Sequence, residues 1–232
     1  MNQNITKAIL PLAALSCVHG KMLAQDAARP NILYIMCDDH AMQAISAYGS
    51  PISKLAPTPN IDRLAQRGML FRNCFVENSL STPSRACLMT GLYSHQNGQR
   101  QLAEGIDTTK TFVPELMQKA GYETGIVGKW HMMCRPKGFD YYYILDGQGK
   151  YYNPNFCTTG NYGKYKQEMG YATTLTTQHA IEFLDHRQKD KPFCLYVHHK
   201  APHRSWFAEP THIGLYDGVD FPLPKTFWDN YE

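Results

Sequence analysis

A chain of 232 residues, 43% hydrophobic and 19% charged, is long enough to bury the core of one large domain and too apolar for bulk disorder. Its net charge of +3 comes from Lys and Arg residues scattered along the chain, which argues against nucleic acid as the main partner; an acidic small ligand needs only a local positive pocket. The seven cysteines show neither CxxC nor Cys/His zinc spacing, and Cys37 and Cys194, inside apolar runs, read as small core residues.

The chain starts like an export signal. Lys7 precedes an apolar stretch over residues 8–15 and then small residues, with cleavage sites after Gly20 or Ala24. Residues 1–24 are therefore read as a signal peptide or, with Cys17 as the lipidated residue, a lipoprotein signal; the apolar stretch is too short to span a bilayer. Export to the periplasm or cell surface follows, with no transmembrane span once the signal is removed.

"NILYIMC", residues 31–37, is a continuous apolar run of strand length stopped by Asp38 and Asp39, which predicts a buried parallel strand. Thr58 and Pro59 open a helix whose apolar positions Ile61, Leu64 and Ala65 recur at helical spacing until Gly68. Residues 69–76 read as an extended segment. A second helix is predicted from Pro83 to Gly91 with Thr82 as its cap, and a third from Pro114 to Ala120. "ETGIVG" is a strand that leads into Lys129, Trp130 and His131. A longer helix with Thr176, Ala180, Phe183 and Leu184 on one face precedes the strand "PFCLYVHH". This rhythm predicts an α/β sandwich around a mostly parallel sheet. Between these elements lies the tyrosine-rich "FDYYYILDGQGKYYNPNF", whose rings either stack on sugars or pack a loop against the core.

In open α/β sheets ligands gather beyond the carboxyl ends of the strands, and the polar residues of this sequence fall there. Asp38 and Asp39 either cap a turn or, as adjacent carboxylates, hold a hard cation such as calcium or magnesium. Lys129 and His131, two apart, would point to one side of a continuing strand, one holding an anionic oxygen and the other moving a proton; the other reading of His131 is a hydrogen-bonded core histidine. His203, in the proline-flanked "KAPHRSW", reads as a loop residue facing a cleft. The helix after Ser81 would offer its N-terminal dipole to an anion, and Arg85 in its first turn adds a positive fork.

"STPSRACLMTG" resembles the signature of the type I, formylglycine-dependent sulfatases of the alkaline phosphatase superfamily: Cys or Ser, any residue, Pro-Ser-Arg, then Thr-Gly. "DDH", "TPNIDRLAQRGMLF", "GYETGIVGKWH" and "HHKAPHR" resemble the family's other blocks in order, so the resemblance covers about residues 30 to 232. It implies the alkaline-phosphatase-like α/β/α sandwich and a sulfuric ester hydrolase. Ser81, rather than Ser84, would become formylglycine, and the serine type implies a bacterial enzyme matured by a radical formylglycine-generating partner. Asp38, Asp39 and the modified Ser81 would bind calcium, or magnesium; Arg85 and Lys129 would hold the nucleophile and sulfate oxygens; His131 would act as base and His203 would assist the leaving alcohol. The substrate implied is a sulfated carbohydrate, with 6-sulfated N-acetylglucosamine as the specific expectation. Two alternatives are kept: a phosphodiester or phosphonate hydrolase of the same superfamily, and an inactive glycan-binding relative. The family's later metal-binding Asp, paired with Asn, Gln or His, and the lysine beyond it have no match, since Asp229 and Asn230 read as loop residues, so residues 25–232 are read as the N-terminal part of a catalytic domain.

Overall fold

In the computed structural model, residues 29–230 are described, so the expectations for the signal segment and Cys17 lie outside them. The sheet has six strands: β1 (Ile32–Cys37), β2 (Glu123–Gly128), β3 (Tyr141–Leu145), β4 (Asn155–Thr158), β5 (Lys166–Gln167) and β6 (Phe193–His199), in the spatial order β1-β6-β2-β3-β4-β5. The first three pairings across that order are parallel and the last two antiparallel, which gives the mostly parallel sheet predicted. The tyrosine-rich stretch supplies β3 and β4, which the sequence reading left unassigned.

Side-chain alternation along the two central strands builds a core on each face. Ile126, Cys194 and Tyr196 face one way, against Ala86 and Met89 of α2 (Ser81–Thr90) and Phe112 at the start of α4 (Val113–Lys119). Val127, Leu195 and Val197 face the other way, against Ala180 and Phe183 of α5 (Ala172–His186). Among the described residues, α1 (Pro59–Arg67) and α3 (Ser94–Asn97) are the other α-helices.

Four local expectations are corrected. β1 is parallel as predicted, but most of its side chains, including Cys37, are exposed: a run of apolar residues predicts burial only where layers cover both faces. Residues 69–76 form no strand, because no neighbour offers them a ladder. Thr82 does not cap α2; the helix starts at Ser81 with Leu80 as its N-cap, because the Thr82 hydroxyl bonds the His131 carbonyl at 3.0 Å instead. β2 ends at Gly128, so Lys129 and His131 are not two residues of one strand. The C-terminus of α2 is as predicted, with Gly91 at φ 67° and its N–H on the Cys87 carbonyl at 2.8 Å. Asp229 lies outside any helix or strand, as read.

Candidate active site

The parallel register brings three strand ends together. Cys37 of β1 lies opposite His199 of β6, and Gly128 of β2 opposite His198, so Asp38, Lys129 and Lys200 emerge side by side. Backbone bonds lock the exit: the Lys129 N–H donates to the His198 carbonyl at 2.7 Å and the Asp38 N–H to the Ala201 carbonyl at 3.1 Å. Gly128 is required for this approach. It has φ 90°, and a Cβ there would lie 2.1 Å from the His198 carbonyl oxygen.

A buried charge cluster sits on these ends. Asp38, Arg85 and Lys129 are each at most 6% exposed, and the Asp38 Oδ2 pairs with Lys129 Nζ and with Arg85 Nη2, the latter at 3.4 Å. Arg85 also donates from Nη1 to the Lys129 carbonyl at 2.7 Å and to His198 Nδ1 at 3.0 Å. His198 Nδ1 lies between that guanidinium and the Lys129 carbonyl, 3.2 Å away, and burial beside Arg85 holds the histidine's pKa well below its usual value. Burial lowers Arg85 to about 10 and Lys129 to about 8, with Asp38 opposing both shifts, so both remain cationic at neutral pH. Arg85 Nε has no partner among the described residues, although it is shut off from solvent. A buried donor left open in this way is a place for an acceptor from a ligand.

Ser81 starts α2, with His131 beside it. Ser81 Oγ and Thr82 Oγ1 each lie 3.3 Å from His131 Nδ1. Thr82 gives its single hydrogen to the His131 carbonyl, so Ser81 alone can donate to that nitrogen. Burial, then the Lys129 and Arg85 charges, lower His131 to about 4, which leaves the imidazole neutral and able to accept a proton at neutral pH. His131 is thus half-buried at the site rather than a core histidine. It holds φ 47° and Asp39 holds φ 60°, left-handed conformations that non-glycine residues seldom adopt and that concentrate at functional sites. His203 completes the group: its Nδ1 meets the Arg204 carbonyl at 2.6 Å, which turns Nε2 toward Asp39 Oδ2 at 3.7 Å.

The structure places the predicted site residues in three neighbouring groups at the strand ends: Ser81 with His131, Arg85 and Lys129 with Asp38, and His203 with Asp39. Sequence reasoning missed two members. Gln148 accepts from Lys129 Nζ at 2.5 Å, and His198 braces Arg85; neither carries a local signal, since both act across long sequence separations. A cleft of about 440 Å³ opens on Asp38, Asp39, Ser81, Ser84 and Arg85. The two carboxylates and the hydroxyl at its wall are oxygen donors of the kind hard cations take, and Asp38 already attracts cationic side chains. Among the described residues no group of three or more His, Cys, Asp or Glu side chains is disposed around a common metal position.

An open, mostly parallel α/β sheet with a cationic cluster beyond its strand ends, and a serine hydroxyl beside a neutral histidine there, defines an α/β protein whose ligand site lies at the carboxyl ends of the strands. A family model described as Sulfatase matches residues 30–225, and the chain belongs to the sulfatase family, within the alkaline phosphatase superfamily. It is 45% identical to an N-acetylglucosamine-6-O-sulfatase of Bacteroides thetaiotaomicron, over 100% of this chain and 41% of that protein. It is 31% identical to the N-acetylgalactosamine-6-sulfatase of Homo sapiens, over 83% of this chain and 41% of that protein. Among solved structures, one in complex with its substrate D-glucosamine-2-N,6-O-disulfate superposes with a TM-score of 0.83 at 47% identity, over 88% of this chain and 41% of that one. The chain thus spans about two-fifths of the length of these relatives.

Proposed function

We propose that the cluster hydrolyses sulfate esters of glycans, with position 81 as the reacting group. The observation that carries this reading is Ser81 Oγ, at the first turn of α2, 3.3 Å from the neutral His131 and one turn before the buried Arg85. A plain serine is a weak nucleophile toward sulfur; as formylglycine hydrate, position 81 supplies one hydroxyl to attack and a second whose deprotonation releases sulfate. Asp38, Asp39 and position 81 would hold calcium or magnesium, which supplies Lewis-acid stabilisation of the sulfuryl oxygens.

The chain's own side chains account for the rest. His131 Nδ1 takes a proton from the hydroxyl at position 81. Arg85 and Lys129 hold fixed positive charge where negative charge grows in the transition state, and burial keeps water from weakening them. His203 Nε2 donates a proton to the departing sugar alcohol. His198 and Gln148 orient the two cations.

For substrate we propose a 6-sulfated glucosamine or N-acetylglucosamine unit, supported by the names of the Bacteroides relative and of the ligand in the similar structure. Maturation by a radical formylglycine-generating partner, export through the segment at residues 1–24 and a periplasmic or surface location belong to the same proposal. Among the described residues no helix is long and apolar enough to cross a membrane.

The test is a comparison of 4-nitrophenyl sulfate and 4-nitrophenyl phosphate as substrates for the matured protein at its full natural length. The sulfate should be cleaved at least about a hundredfold faster by kcat/KM. A preference for the phosphate or a phosphodiester would overturn the reading in favour of the related hydrolase.

A further inference from the structure

His203 rides on the segment that leaves β6, which has no regular structure of its own before a single helical turn at Pro210–His212. Near the strand, main-chain bonds fix it: the His203 N–H meets the Lys200 carbonyl at 3.0 Å. Farther along, the Trp206 N–H reaches the His203 carbonyl at 3.5 Å and side chains supply further bonds. The carbonyls of His203, Phe207 and Ala208 accept hydrogen bonds from the hydroxyls of Tyr151, Tyr171 (2.8 Å) and Tyr152, in that order. Thr174 Oγ1 adds a bond to the Glu209 carboxylate at 2.7 Å.

The three rings form one unit. Tyr151 and Tyr171 stack with centroids 5.9 Å apart, Tyr152 meets Tyr171 at 5.5 Å, and Phe207 returns onto Tyr151 at 6.2 Å. Tyr151 is 4% exposed and lies under the Lys200 ammonium, 5.0 Å from its ring centroid. Phenylalanines could supply the same ring packing; what the hydroxyls add is direction, since each donates to a chosen carbonyl. Burial raises the Tyr151 phenol to about 12, with Tyr171, Asp38 and Asp39 adding to the shift, so it stays a donor throughout the neutral range.

We propose that Tyr151, backed by Tyr152 and Tyr171, is a positioning residue for His203: its hydroxyl grips the main-chain carbonyl of that histidine and so sets where Nε2 meets the leaving oxygen. This rests on the sulfuryl-transfer reading of the site. The imidazole orientation depends on the peptide units of His203 and Arg204, because Nδ1 is bound to the Arg204 carbonyl. Tyr151 holds the first of those two units.

The experiment uses the leaving group as its readout. A sugar alkoxide needs a proton as it departs, whereas 4-nitrophenolate leaves without one. In the matured protein at its full natural length, Tyr151→Phe keeps the ring and removes only the hydroxyl. It should lower kcat on N-acetylglucosamine 6-sulfate about tenfold, with KM and the 4-nitrophenyl sulfate rate each within about twofold of wild type. In a His203→Ala background the same change should cost nothing more on the sugar sulfate. Tyr152→Phe, one step removed from His203, should act in the same direction and more weakly. Equal losses on both substrates, or a full further loss in the His203→Ala background, would overturn the positioning role and leave the sulfatase reading standing. If Tyr151→Phe fails to fold, Tyr152→Phe decides by the same substrate comparison. Wild-type protein that cleaves neither sulfate would overturn the underlying reading and this proposal together.

Discussion

Leu33 of β1 and Leu195 of β6 are register partners across adjacent parallel strands, yet Leu195 is fully buried and Leu33 is 49% exposed. The contrast extends to whole regions. Between residues 29 and 80 Asp38 is the sole buried residue, while α2, β2 and β6 are largely buried. Asp38 is also the carboxylate on which Arg85 and Lys129 converge. The site is therefore a seam. Its cations are fixed by the buried region through His198 and the Lys129 carbonyl, and its acid is delivered by the exposed region. Two buried cations of like sign cannot lie side by side without such an anion, so Asp38 adds a charge contact to the backbone ladder that joins β1 to β6.

The sharpest way to break this comparison is Asp38→Asn, which preserves shape and removes the anion. Leaving Arg85 and Lys129 buried without their counter-charge should cost about 3–5 kcal/mol by urea denaturation in the presence of a chelator. A cost near zero would mean that the cations find other partners and that the seam is not electrostatic. A smaller effect sharpens the contrast between the matched leucines. In the 232-residue chain, Leu195→Ala should destabilise by about 2–5 kcal/mol and Leu33→Ala by less than about 1 kcal/mol, because only the first opens a cavity. Equal costs would show that Leu33 is covered in solution.

The same division explains what could be read in the sequence. β2, β6 and α5 were legible because each buries a regular pattern between clear stops, and a parallel sheet then follows from the strand and helix order. Asp38, Asp39, Lys129 and His131 were legible because strand ends deliver polar residues to one edge, whichever way the chain turns afterwards. Residues 69–76 and the exposure of β1 were not, since "MLFRNCFV" has the composition of a strand and composition does not say whether a neighbour is present. Thr82 was misread as a cap because its actual partner, the His131 carbonyl, lies 49 residues away. Gln148 and His198 were invisible for the same reason: their roles exist only after the strands have packed. The tyrosine-rich stretch left two readings open. The structure answers for Tyr151 and Tyr152, whose hydroxyls hold a loop rather than present free faces.

The central claim is that position 81, and not the neighbouring Ser84, reacts with the sulfate ester. The measurement that tests it most directly is the rate of sulfate release from N-acetylglucosamine 6-sulfate by the matured full-length protein, by Ser81→Ala and by Ser84→Ala. The account predicts turnover by the wild type, at least about a thousandfold loss in Ser81→Ala, and retention of most activity in Ser84→Ala. Sulfate release by Ser81→Ala at a rate close to wild type would contradict it.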